Sequence, residues 1–276
     1  MLRANFHTHT AFCDGKNTAE EMAERAAALG FAQLGFSGHM DADIHMDFDA
    51  YAAEIMRLRE KYRRRLDILL GVELDCLYDP CWAERAEYVI GSTHFLDTGG
   101  DLLPVDSTPE LFRRLAEEYY GGDYYRLAKA YFALEAEVYD RTHCTFVGHF
   151  DLVTRFNDEL HVLDEEDPRY IGPALEAMEY LVREGVPFEI NCGAFNRERK
   201  RELYPNRRLL RALRDFGGEI FISSDAHQAE LLDGGFPTAL RTAAACGFRC
   251  VSILKHDERG NVVREELALD TLLTDS

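Results

Sequence analysis

The chain is a succession of short apolar runs, and most of them stop at a residue that can bind a metal. Gln33 to Gly38 ends in His39, and Asp67 to Val72 ends in Glu73. Tyr88 to Thr93 ends in His94, Thr145 to Gly148 in His149, and Glu219 to Ser224 in Asp225-Ala226-His227. The first run, Arg3 to Phe6, leads into His7-Thr8-His9, with Asp14 close behind. Alternate residues of an extended segment point the same way, so His7 and His9 aim two imidazoles at one point. An isolated His-x-His carries little weight. Here six of the ten histidines stand at predicted strand ends, whereas scattered placement would put them on helices and loops too.

Helix signals fill the gaps. Thr18-Ala-Glu-Glu21 is a capping box, and Gly30 closes that helix. Asp49 is expected to cap a helix ending near Arg63-Arg64-Arg65. Thr108-Pro109 starts another, which Gly121-Gly122 breaks, and Asp123 to Arg141 reads as the next. Pro173 to Glu184 and Arg207 to Phe216 complete the set, the last capped by Asn206. Arg249 to Leu254 reads as one more strand, and Glu265 to Leu273 as a short packing helix. Strand and helix alternate seven or eight times, which predicts a parallel sheet. Ligands at the C-terminal ends of most strands predict a closed barrel with its site on that face. An open doubly wound sheet would gather them at one switch point. No linker or repeat divides the chain, so residues 1–276 are expected to form a single domain.

With a formal net charge of −19, the chain should repel nucleic acid and anionic membranes. No signal-peptide pattern and no apolar run of membrane-spanning length is present. Seven cysteines without a C-x-x-C pair fit reduced thiols and a cytoplasmic location.

The candidate metal ligands are His7, His9, Asp14, His39, Glu73, His94, His149, Asp225 and His227. One tetrahedral ion takes four. Nine suit two or three divalent transition-metal ions (Zn, Fe or Mn), with a bridging carboxylate. Such a pocket is locally cationic. It should favour a phosphate dianion and activate a bridging water. Arg155, with one or more of Arg197, Arg199 and Arg201, is placed to clamp phosphate oxygens. Asp225, His227 or a metal-bound water is expected to protonate the leaving group. The polar segment 40–47 reads as a loop over the site, and its His45 is a candidate substrate contact. His143, His161 and His256 have no motif around them and read as surface or satisfied residues.

The series Phe-His7-Thr-His9-Thr, Gly-His39-Met-Asp, Gly-Val-Glu73-Leu-Asp, Gly-Ser-Thr-His94-Phe, Gly-His149-Phe-Asp-Leu-Val-Thr-Arg155 and Ser-Ser-Asp225-Ala-His227 resembles the polymerase-and-histidinol-phosphatase (PHP) superfamily. Within it, the chain resembles the histidinol-phosphate phosphatases of histidine biosynthesis. The resemblance runs through the whole chain in order. It implies a distorted (β/α)7 TIM-like barrel and a trinuclear centre hydrolysing L-histidinol phosphate. It also implies the ligand sets. One metal takes His7, His9, Glu73 and Asp225, a second Glu73, His94 and His149, and a third Asp14, His39 and His227. In some relatives the position of Asp14 is a His. The stretch Glu189 to Arg197 resembles the family's second phosphate-binding arginine loop. Two competing expectations stand beside this one. One keeps the site but changes the substrate to another small phosphate ester, a nucleotide or a phosphodiester end. The other is a non-catalytic metal-binding or proofreading-associated module, which the full ligand set argues against.

Overall fold

Seven parallel strands carry the architecture of the computed structural model, which describes residues 1–44, 46–78 and 80–274. They are β1 (Ala4–Asn5), β2 (Gln33–Met40), β3 (Asp67–Asp75), β4 (Tyr88–Ser92), β5 (Phe146–Val147), β6 (Phe188–Asn191) and β7 (Ile220–Ser223). Their order in the sheet follows the sequence, each hydrogen-bonded to the next. A parallel bridge between Thr8 and Ala226 then joins the segment after β1 to that after β7, with the His9 N–H donating to the Ala226 carbonyl at 2.9 Å. The sheet is therefore a nearly closed barrel. The distorted (β/α)7 barrel expected from the sequence is the fold observed.

Register does the first work of assembling a site. His39 on β2 pairs with Glu73 on β3, so their side chains leave the sheet on the same side. Beneath them the barrel is filled by aromatic rings. Phe146 stacks on Phe221 with centroids 4.5 Å apart, and Phe6 meets Tyr88 and Phe221 edge-on. The Tyr88 ring lies across two glycines, Gly71 on the adjacent β3 and Gly35 on β2 beyond it. A Cβ on Gly71 would come within 2.1 Å of the ring, and one on Gly35 within 2.3 Å of its hydroxyl. That hydroxyl sits 2.7 Å from the Phe6 carbonyl and 2.9 Å from that of Phe36, so its polarity is satisfied in the core.

The capping box at Thr18 and Glu21 forms, and the helix Ala19–Ala28 follows it. The next helix, Phe48–Tyr62, is capped by Asp47 rather than Asp49. It buries Phe48, Tyr51, Ile55, Leu58 and Tyr62, one face at helical spacing. The long helix expected from Asp123 is two, Tyr124–Glu135 and Val138–Thr142. Two short hairpins lie outside the barrel. The first, Phe95–Asp97 with Leu102–Pro104, follows β4 where no strand was expected. The second corrects the reading of the tail. Cys250–His256 pairs antiparallel with Val262–Ala268, so residues 265–268 are strand and the helix is confined to Leu269–Thr274. No helix among the described residues is long and apolar enough to cross a membrane. The six cysteines whose side chains are described are all unpaired.

Candidate metal centre

Glu73 stands at the middle of a ring of imidazoles. It is buried, and each of its oxygens faces a different set. Oε2 lies 3.1 Å from His7 Nε2, 3.4 Å from His9 Nε2 and 3.2 Å from His39 Nδ1. Oε1 lies 2.9 Å from His149 Nε2 and 3.2 Å from His94 Nε2, and accepts a hydrogen bond from Ser92 Oγ at 2.8 Å.

Asp225 closes the group from the far side of the barrel seam. Its Oδ1 is 3.4 Å from His9 Nε2 and 3.8 Å from His7 Nε2. The residue has φ 49°, a left-handed conformation that Asp tolerates better than most residues. The carboxylate needs room: a Cβ on Gly193 would come within 2.3 Å of Oδ2. Asp14, more exposed, lies 3.7 Å from His9, 3.8 Å from His39 and 3.0 Å from His227. All nine ligands expected from the sequence thus converge at the C-terminal ends of the strands.

These atoms fit divalent metal. Zn–N and Zn–O bonds of 2.0–2.2 Å place tetrahedral ligand atoms about 3.3–3.6 Å apart. His7 Nε2, His9 Nε2, Glu73 Oε2 and Asp225 Oδ1 are spaced by 3.1–3.8 Å across the pairs given above. His7 Nε2, His9 Nε2 and Glu73 Oε2 are buried and make no hydrogen bond, a costly state unless an ion is their partner. His9, Asp14, His39 and His227 make a second grouping, and His7, Glu73 and His149 a third.

Burial disfavours charge on His7 and His94, yet Glu73, with Glu189 beside His7 and Asp75 beside His94, raises both well above the usual imidazole range, so a metal would enter by displacing protons. Burial opposes ionisation of Glu73, yet His7, His39 and His94 outweigh it and hold the carboxyl well below its usual range. Asp225 is held low against burial by Arg197, His7 and His227. His9 goes the other way. Burial, with His227 and His39 beside it, pushes it down to about 3, so it keeps a free lone pair.

Carboxylates outside the nine expected ligands flank the imidazoles. Glu189, buried on β6, accepts from His7 Nδ1 at 2.8 Å, from the His149 N–H at 3.0 Å and from Asn191 Nδ2 at 2.9 Å. Asp75 accepts the His94 N–H at 2.7 Å and lies 3.5 Å from His94 Nδ1, while Asp41 lies 3.4 Å from His39 Nδ1. Two of these were readable. Asp41 and Asp75 follow His39 and Glu73 by two residues, which in a strand is the same face. Glu189 had a weaker signal, a lone charge between Phe188 and Ile190 in an apolar strand.

The cluster floors a cleft of about 580 Å³ whose walls include Lys16, Asp106, Arg155, Arg197, Arg199 and Tyr204. Arg155 follows the short 3-10 turn Leu152–Thr154 after β5. Its one ion pair among the described residues is with Asp106, at 3.8 Å. Arg197 is more engaged than expected of a phosphate ligand. It spans Asp225 Oδ2 at 3.2 Å, the Asp225 carbonyl at 3.1 Å and His227 Nδ1 at 2.9 Å. Arg201 faces a neighbouring cleft instead. The candidate substrate contact His45 lies outside the described residues. His256 is satisfied by Asp67 and Glu87. His143 and His161 close short helices in left-handed conformations.

A parallel barrel with clustered imidazoles and carboxylates at its strand ends, under a cleft lined by arginines, is a metal-binding barrel built to receive anions. The PHP domain model matches residues 5–193, and the chain belongs to that family. It is 30% identical over 268 residues to the probable histidinol-phosphatase of Deinococcus radiodurans, covering 89% of this chain and 94% of the relative. It is 25% identical over 282 residues to the probable histidinol-phosphatase of Schizosaccharomyces pombe, covering 92% of this chain and 90% of the relative. The fold is also that of a solved structure, the histidinol phosphate phosphatase of Lactococcus lactis complexed with zinc, L-histidinol and phosphate. The TM-score is 0.72 at 20% identity, over 92% of this chain and 98% of that one.

Proposed function

We propose that this protein is a metal-dependent phosphomonoesterase that hydrolyses L-histidinol phosphate to L-histidinol and phosphate in histidine biosynthesis. The observation that carries the metal chemistry is Glu73, one carboxylate with imidazoles around each oxygen. The substrate rests on the likeness to the histidinol-phosphatases of Deinococcus radiodurans and Schizosaccharomyces pombe.

Two to three divalent ions (Zn, Fe or Mn) are held as follows. His7, His9, Glu73 and Asp225 hold one, and Glu73, His94 and His149 a second. Asp14, His39 and His227 hold the third. When bound, such ions supply Lewis-acid charge and a nucleophilic water at neutral pH. The chain supplies the rest. Arg155 and Arg199 receive phosphoryl oxygens and meet the charge that develops in the transition state. Arg197 orients Asp225 and His227 on the same wall and adds its charge to the phosphate side of the cleft. The leaving alkoxide takes its proton from a water that Asp225 and His227 orient, since Asp225 itself is ionised. Residues 1–276 work as one domain, because the cluster draws on side chains from His7 to His227. The surface charge of −19 suits small phosphate esters rather than nucleic acid, and the unpaired thiols suit a cytoplasmic location.

The test is phosphate release from L-histidinol phosphate, nucleotides and other small esters, with metal content measured on the same preparation. Histidinol phosphate should be hydrolysed fastest, and chelation should abolish activity. Glu73→Gln should lose bound metal and about 100-fold or more in turnover. Cys192→Ser, at a buried side chain that is none of the donors, should keep both. An active, metal-free protein ends the metal reading, and faster hydrolysis of another ester ends the substrate reading.

A further inference from the structure

Five carboxylates line the cleft. Asp14, Glu73 and Asp225 belong to the imidazole cluster, which leaves Asp106 and Glu198. Glu198 is exposed on the loop after β6. Asp106 is set into the wall, with a side chain 24% exposed. Its backbone is tied to the cluster, because the N–H of the preceding Val105 donates to the His94 carbonyl at 2.8 Å.

Asp106 and Arg155 are neighbours that do not satisfy each other. Their 3.8 Å separation exceeds a hydrogen bond, and Arg155 Nε is buried with no partner. The terminal nitrogens of Arg155, on the cleft wall, are open to an anion, and the acid beside them, which also faces Arg199, is open to a cation.

A carboxylate next to an anion receptor is otherwise a liability. It repels a phosphate dianion, and the low-dielectric wall strengthens the repulsion. A phosphate ester that carries an ammonium near its ester carbon reverses the sign. The acid then attracts the matching substrate and disfavours esters that lack the charge, which is discrimination by attraction and repulsion together.

We propose that Asp106 is a specificity-determining residue. Its carboxylate receives the ammonium of an amino-alcohol phosphate while Arg155 receives the phosphate. This deepens the phosphatase reading above and rests on it. L-Histidinol phosphate is one member of the class.

The experiment uses the metal-loaded full chain and two esters of the same shape, O-phosphoethanolamine and ethylene glycol monophosphate, beside L-histidinol phosphate. The wild type should prefer the amine of the pair. Asp106→Asn should shrink that preference by about 10- to 100-fold, the scale of a charge-assisted hydrogen bond, with most of the change in KM. Asp106→Glu, which keeps the charge, should retain part of it. If Asp106→Asn does not fold, Asp106→Ser carries the same comparison. An equal loss on both esters overturns the proposal, since Asp106 would then act by holding Arg155. So does a wild type indifferent to the ammonium. A wild type that prefers O-phosphoethanolamine over its hydroxyl analogue, lost in Asp106→Asn, but that ignores L-histidinol phosphate supports the role of Asp106 and ends the proposed substrate alone.

Discussion

Glu189 Oε1 lies 2.8 Å from His7 Nδ1, and both side chains are withdrawn from solvent. The contact places a proton on Nδ1 and aims Nε2 toward Glu73 and Asp225, where a metal-bound ring would offer its lone pair. The other oxygen of Glu189 accepts from the His149 N–H and from Asn191. One carboxylate therefore orients a candidate ligand on each side of the barrel.

Glu189→Gln keeps the volume but replaces one acceptor oxygen by an NH2. Either His7 loses its acceptor, or the amide faces the donors of His149 and Asn191. Metal affinity or activity should fall about 10- to 100-fold, the usual cost of losing such an orienting group. Metal titration and steady-state rates on one preparation check this.

Arg155 has no lone pair to offer a metal. Arg155→Ala should keep fold and metal content while kcat/KM falls by about 2–4 kcal/mol, the scale of one electrostatic stabiliser. Lys should restore part of this, because an ammonium cannot make the forked contact. Unchanged kcat/KM would remove Arg155 from the site.

Gly71 faces the Tyr88 ring at a distance that admits no Cβ. Gly71→Ala should destabilise the protein by about 1–3 kcal/mol or more, because the ring is walled in by Phe6 and Phe146. A lower urea midpoint at unchanged slope is the expected result. A midpoint within error of wild type would mean that the barrel interior yields.

His256 joins the outer hairpin to the barrel base, with Nδ1 2.6 Å from Asp67 and Nε2 3.1 Å from Glu87. Burial disfavours the charged ring, but the two carboxylates outweigh it and raise its pKa. A raised folded-state pKa stabilises most below the unfolded value of about 6.5 and loses the effect as pH rises through the folded value. His256→Asn should therefore be most destabilising near pH 6 and approach wild type in more alkaline solution. Solvent screening keeps the gap to about 1 kcal/mol or less. Unfolding curves at several pH values check it, and a gap that widens with pH contradicts it.

The sequence by itself picked out the nine donors that the structure brings together and the face on which they meet. Strand periodicity puts His7 and His9 on one side, and a run of strands that each end in a donor has few folds open to it. Local chemistry also set the helix starts at Thr18, Thr108 and Asn206, because a cap is a contact across three residues. Tertiary structure alone decided which partner each donor faces. Glu189 reaches His7 across 182 residues, and no local pattern says which side of β6 looks inward. The engagement of Arg197 by Asp225 and His227, and the placing of Arg155 beside Asp106, depend on loops brought together by barrel closure. The tail shows the same limit. Residues 265–268 form a strand because Cys250–His256 is there to pair with them, and an antiparallel partner is a long-range fact.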